Sequence, residues 1–232
     1  MKRASVPPFV LTDYRSLRPR TLLTEYRYLL LLLFWPLFGL AFAGFEVLRT
    51  EGYVTVYTPL DDLIPFCEFF VFPYLFWFVY LVGMYVYTLL FDVDTFKKYS
   101  YFIIITYTVT ILIYLFFPTK QELRPTVFER DNILVEFMKG FYAFDTNTNV
   151  CPSLHVIGSV AVSAAAWHSK HFSTVGWRIA FTVVTVLITV STVFLKQHSL
   201  VDIPPALVIC AAAYWWVYRR RPRRKAAPCT EG

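Results

Sequence analysis

Six long apolar stretches joined by short polar connections constrain this chain more than any other feature. They run roughly over Tyr28–Leu48, Phe69–Phe91, Tyr99–Phe117, Pro152–Trp167, Ile179–Leu195 and Leu200–Tyr218. A helix needs about 20 residues to cross the hydrocarbon core, and about 17 is the practical minimum. The fourth and fifth stretches are short, so their ends are the least defined. Only 16% of the residues are charged and 57% are hydrophobic, against about 25% charged in a soluble domain. The expected fold is therefore an all-α integral membrane protein, a six-transmembrane-helix bundle. It divides into an N-terminal segment (1–24), a membrane domain (25–218) and a basic tail (219–232). The first apolar run is long and starts late, so no cleaved signal peptide is expected. No internal repeat is evident.

Lysine and arginine placement sets the orientation, because cytoplasmic loops carry the excess of these cations. With both termini cytoplasmic, sixteen Lys and Arg lie inside and six outside. Trp167 and Trp177 flank one short inner loop, and Trp215 and Trp216 precede the tail, as an interfacial aromatic belt requires. The tail reads as a positive-inside anchor, and no nucleic-acid partner is expected. This orientation brings His155, His198 and Asp202 to the extracytoplasmic face.

Those three residues are the candidates for chemistry. Ionisable groups at membrane depth are costly, rare and commonly functional. His198 precedes Asp202 by four residues, a spacing that on a helix puts both on one face and would orient an imidazole for nucleophilic or acid–base work. Ser199 and Asp202 equally have capping-box spacing. Four of the six outer cations, Lys120, Arg124, Arg130 and Lys139, lie in the single loop Pro118–Val150, which suits an anionic headgroup. Within it Ile133, Leu134, Phe137, Met138 and Phe141 have helical spacing and predict a short amphipathic surface helix. Asp61 and Asp62 are expected to cap the second span rather than bind a cation, and His168 and His171 to face solvent. Cys67, Cys151, Cys210 and Cys229 form no zinc spacing; a Cys67–Cys151 disulfide is conceivable but not favoured.

The strings around these residues resemble the type 2 phosphatidic acid phosphatase superfamily of membrane lipid phosphatases and phosphotransferases. Its second motif, Pro-Ser-Gly-His, is matched by Pro152-Ser153-Leu154-His155. Its third, Ser-Arg, five residues, His, three residues, Asp, is matched by Ser191-Thr192, His198 and Asp202, with Thr192 in place of Arg. Its first, Lys, six residues, Arg-Pro, is partial: Arg124-Pro125 is present, but Phe117 stands where the Lys belongs. Pro-Ser-Leu-His and the missing basic positions also look like the sphingomyelin synthase and inositol phosphorylceramide synthase branch. Other runs in this region are similar to bacterial members, which implies a multi-pass protein of a bacterial cytoplasmic membrane.

The resemblance implies that His198 attacks phosphorus, Asp202 orients it, and His155 protonates the leaving lipid alkoxide and then deprotonates the acceptor. It implies Arg124 and Ser153 as phosphate ligands. Lys120 and Lys196 are inferred to supply the charge that Phe117 and Thr192 do not. The expected substrate is a membrane lipid phosphate, with water or a lipid hydroxyl as acceptor. A non-catalytic lipid-binding protein is the reading from another class. The scheme calls for no metal or other cofactor. The lipid and the oligomeric state are not legible in the sequence.

Overall fold

A computed structural model describes residues 7–219. After a four-residue helix α1 (Pro19–Leu22), the chain forms α2 (Phe34–Leu48), α3 (Val71–Phe91), α4 (Val93–Phe116), α5 (Ile133–Phe144), α6 (Leu154–His168), α7 (Val175–Phe194) and α8 (Ile203–Tyr214). Five helical segments are long and apolar enough to cross a membrane: Arg27–Leu48, Glu68–Phe91, Val93–Phe116, Val175–Phe194 and Leu200–Arg219. The expected fourth span is a shorter apolar helix, Leu154–His168. Most of the tail lies outside the described residues, as do the first six residues and Cys229.

The departures from regular α-helix follow local sequence. The first span begins as a 3₁₀-helix, Arg27–Leu33, and becomes α-helical just before Pro36. The proline lacks an N–H and its ring clashes with the carbonyl four residues back, so an α-helix tolerates it only in the first turn. Pro204 and Pro205 sit in the first turn of α8 for the same reason. Asp92 separates α3 from α4. Its carboxylate caps α4 by accepting from Thr95 N (3.3 Å) and also takes Lys170 N (3.0 Å).

Helix α6 is the hub, packed against α3, α4, α7 and α8. It is rich in Gly, Ala and Ser, and its buried run includes Gly158, Ser159, Ala161, Ser163, Ala164, Ala165 and Ala166. Small residues let helix backbones approach closely where lipid supplies no hydrophobic drive for association. Protein surrounds most of this 15-residue helix. Gly158 shows how close the approach is: a Cβ there would lie 2.9 Å from Trp77 Nε1, 2.9 Å from the Tyr107 hydroxyl and 3.1 Å from Leu81 Cδ1. Gly158→Ala is expected to cost about 1–3 kcal/mol by overpacking, read as a lower thermal midpoint in detergent. An unchanged midpoint would mean that α3 and α6 are not tightly apposed.

At one end of the bundle the N-terminal segment lies across the helix ends. Thr12 N donates to Leu90 O (2.7 Å), Tyr14 Oη donates to Leu89 O (2.7 Å), and Phe9 stacks on His171. His171 is therefore not solvent-facing as its loop position suggests; it is buried, with Nδ1 2.7 Å from the Tyr87 hydroxyl. His168 is exposed and stacks on Tyr218, so residues at both ends of the described chain meet this end of the bundle.

The opposite end carries α5 and two two-residue strands, β1 (Val54–Thr55) and β2 (Thr119–Lys120), paired in parallel. Helix α5 forms where its spacing predicts it, capped by the Asn132 side chain. Its inward stripe is Leu134, Val135, Met138, Phe141 and Tyr142, whereas Ile133 and Phe137 point outward. The stripe packs on Val71, Tyr74 and Leu195, which fixes the loops above the bundle.

Candidate active site

The loop between α7 and α8 carries His198. It is not helical at this point, so the pairing with Asp202 does not arise on a helix face as the four-residue spacing suggests. Ser199, Leu200, Val201 and Asp202 instead fold as a 3₁₀ turn with a capping box, and Asp202 Oδ2 accepts from Ser199 N (3.1 Å). The same oxygen lies 2.8 Å from His198 Nδ1. The two readings of this string are thus both realised: one carboxylate caps the turn and holds the imidazole. Asp202 is fully buried and His198 is 7% exposed. A carboxylate on Nδ1 fixes the tautomer that leaves Nε2 with a free lone pair.

His198 Nε2 faces His155 Nδ1 at 3.3 Å. His155 is in the first turn of α6, which Ser153 starts by accepting from Val156 N and which docks on the other loop through Ser153 N to Asp202 O (3.2 Å). The His155 ring packs against Tyr74 (4.5 Å between centroids) and Trp77 (4.4 Å). Both α3 aromatics therefore set its rotamer. The two imidazoles open onto a small cavity of about 80 Å³ lined also by Phe42, Tyr114, Asp145, Thr146, Thr148, Asn149 and Gln197.

The four residues expected to bind phosphate do not line this cavity. Arg124 is half-buried beneath it. Its Nη1 donates to Tyr142 O and Asp145 O, and its Nη2 to Thr146 O, all at 2.9 Å, and to Gln197 Oε1 at 2.6 Å. The guanidinium thus fastens the 142–146 loop to the His198 loop. Burial lowers its pKa and raises that of Asp145; attraction between the two charges offsets part of each effect. Ser153 is fully buried as the α6 cap. Lys120 pairs with Glu122. Lys196 donates to Asp61 O (2.7 Å) and lines a separate cavity with Asp62, Phe66 and Arg130. Burial pulls its pKa down, against the attraction of Asp61 and Asp62.

Three carboxylates hold the site from distant parts of the chain. Asp61 does not cap the second span. It caps the turn Pro59–Leu63 through Thr58 N (2.9 Å) and reaches the loop 138 residues away, accepting from Ser199 Oγ at 2.6 Å. Glu46, at the end of α2, accepts from Thr146 Oγ1, Thr148 Oγ1 and Asn149 Nδ2, all of them on cavity-lining residues. Asp145 enters the cavity directly. Apart from the cap on Thr58 N, none of these contacts has a local signal, because the partners come from distant parts of the chain. Cys151 is a free thiol, as is Cys67; burial, with Asp202 nearby, pushes the Cys151 thiol up to about 12. Among the described residues, no group of three or more His, Cys, Asp or Glu is arranged to hold a metal ion.

No curated protein and no solved structure matches the chain. The family model described as PAP2 superfamily matches residues 96–226, a stretch that includes both histidines, Asp202 and Arg124. With more than half its length matched and the paired histidines meeting at one cavity, the chain belongs to the PAP2 superfamily, whose members are phosphatases and phosphotransferases.

Proposed function

We propose that this chain is a membrane enzyme that removes the phosphoryl group of a lipid phosphate through a phosphohistidine on His198. The observation that carries this reading is the ordered row Asp202 Oδ2, His198 Nδ1, His198 Nε2, His155 Nδ1, with steps of 2.8 Å and 3.3 Å from the two nitrogens of the His198 ring. An entering phosphoryl group replaces the contact between the imidazoles. His198 Nε2 then forms the P–N bond while the P–O bond to the lipid breaks. His155, protonated once the anionic phosphoryl group lies beside it, gives its proton to the departing alkoxide. Water next attacks phosphorus, His155 takes its proton, and the P–N bond breaks to release phosphate. Asp202 keeps the Nδ1 proton throughout and stabilises the positive ring. Proton transfer by a placed histidine contributes on the order of 10²–10⁴ in rate.

In this reading the short α6 crosses with its five neighbours as a sixth span, and both termini are cytoplasmic. The cavity then opens at the extracytoplasmic leaflet. The bias of sixteen inner to six outer cations supports that orientation.

A second reading, headgroup transfer between lipids, is favoured by the charges at the cavity. Asp145 lines it and Glu46 is bonded to three residues of its wall, whereas among the described residues no Lys or Arg lines it. Carboxylates disfavour a dianionic phosphomonoester and suit a phosphodiester whose headgroup carries a cation. The test is a panel assay with purified protein in detergent containing EDTA. Orthophosphate released from phosphomonoester or pyrophosphate lipids supports the first reading. Transfer of a zwitterionic headgroup to a lipid alcohol, without orthophosphate, supports the second. Inertness toward both classes would sink the enzymatic reading.

A further inference from the structure

We infer that Asp61 is a positioning residue for His198, acting through the 196–200 loop; the inference rests on the phosphohistidine reading. That loop presents the reacting nitrogen but has no helix or strand of its own. It starts at Lys196, whose φ of 51° is left-handed, an unusual state for a long side chain without a local hydrogen-bonding group. Three bonds support the strained start. Lys196 N donates to Val193 O (3.0 Å), and Gln197 N and His198 N both donate to Thr192 O (2.9 and 3.1 Å).

Asp61 grips the loop on both sides of His198. Its backbone carbonyl accepts from Lys196 Nζ at 2.7 Å on one side. Its carboxylate accepts from Ser199 Oγ at 2.6 Å and Leu200 N at 2.9 Å on the other. Asp202 meets the same turn from the opposite direction, taking Ser199 N and His198 Nδ1 on one oxygen. Ser199 is therefore bracketed by two carboxylates, one that touches the imidazole and one that does not. Asp61 and Ser199 are both fully buried, so water offers no replacement donors. Hydrogen bonds to a buried ionised acceptor are about twice as strong as neutral ones. Asp61 is held in turn by Thr58 N, which ties the clamp to the turn Pro59–Leu63. Asp61 does not line the catalytic cavity, so its effect on chemistry passes through the place of His198.

Asp61→Asn keeps the shape but puts an N–H against at least one of the three donors. The experiment measures kcat, KM, the thermal midpoint and the low-field proton resonance of His198 Nδ1–H in substrate-free protein. Small misplacements of a reacting group cost up to about 10²-fold. Asp61→Asn is therefore expected to lower kcat about 10- to 100-fold, with KM within about twofold, and to broaden or shift the resonance. Ser199→Ala removes the hydroxyl link to Asp61 together with the cap that Ser199 Oγ gives Val201 N (3.2 Å). It is expected to reproduce part of both changes and to add less in the Asp61→Asn background than it does alone, since only the Val201 N cap is then left to lose. If Asp61→Asn does not fold, Ser199→Ala alone carries the test. An unchanged resonance and kcat in the folded variants would overturn the positioning role. Retained turnover in His198→Ala would instead overturn the phosphohistidine reading, and the resonance, which needs no substrate, still tests the clamp.

Discussion

Replacing His198 by alanine is expected to lower turnover of the lipid phosphate by about 10⁴-fold or more. A comparable loss follows removal of the nucleophile or its base in enzymes whose catalytic groups act as a unit. Among the described residues the other imidazole lining the cavity is His155, and the proposed mechanism gives its Nδ1 the acid–base place opposite. The fold is expected to survive, since Asp202 keeps Ser199 N and the turn keeps its clamp on Asp61. Initial rates beside the thermal midpoint check both halves. A variant retaining a tenth of the wild-type rate would remove His198 from the reaction.

Asp202→Asn is expected to cost about 10³–10⁴-fold in kcat while barely changing shape. An asparagine that keeps its oxygen on Ser199 N leaves only one further acceptor lone pair on that oxygen for His198, and an amide turned the other way presents N–H to Nδ1. The second arrangement drives the proton to Nε2, and the nucleophilic lone pair is lost; swapping the carboxylate for an amide in a serine-protease triad has an effect of about this size by the same tautomer change. Nitrogen chemical shifts of labelled histidine report which ring nitrogen is protonated. Wild-type tautomer together with wild-type kcat would show that Asp202 is a cap and nothing more.

The bundle was legible because spans of this kind declare themselves by length and apolarity alone. Five of the expected stretches coincide with helices long enough to cross. The fourth is 15 residues, and its shortness has a packing cause: the run from Gly158 to Ala166 is walled by other helices, a neighbourhood that hydropathy does not report. The amphipathic α5 was readable from its apolar spacing, but not which residues face in, since that depends on Val71, Tyr74 and Leu195 from other elements. The burial of His171 is not legible, because a polar residue in a short loop gives no warning that Phe9 folds over it.

At the site, His155, His198 and Asp202 do converge, although the His–Asp pair is made by a capping turn rather than a helix face. The expected phosphate ligands are another matter. Arg124 stands before Pro125 in a partial motif, which points to phosphate, yet three backbone carbonyls and Gln197 engage its guanidinium. Charge in a sequence indicates what a side chain can bind, not which of the nearby unsatisfied carbonyls will bind it first. Asp61 reads as a cap in the sequence, but its hold on Ser199, like the contacts of Glu46 and Asp145 at the cavity, is invisible there because the partners lie 52 to 138 residues away along the chain.

The most direct test is to trap the covalent intermediate. Purified protein is mixed for seconds with a lipid phosphate carrying labelled phosphorus, quenched in base and digested. The account predicts label on the peptide containing His198, stable to base, released by mild acid, and absent from His198→Ala. Label on no peptide in an enzyme that turns over the same substrate, or label on His155, would contradict it.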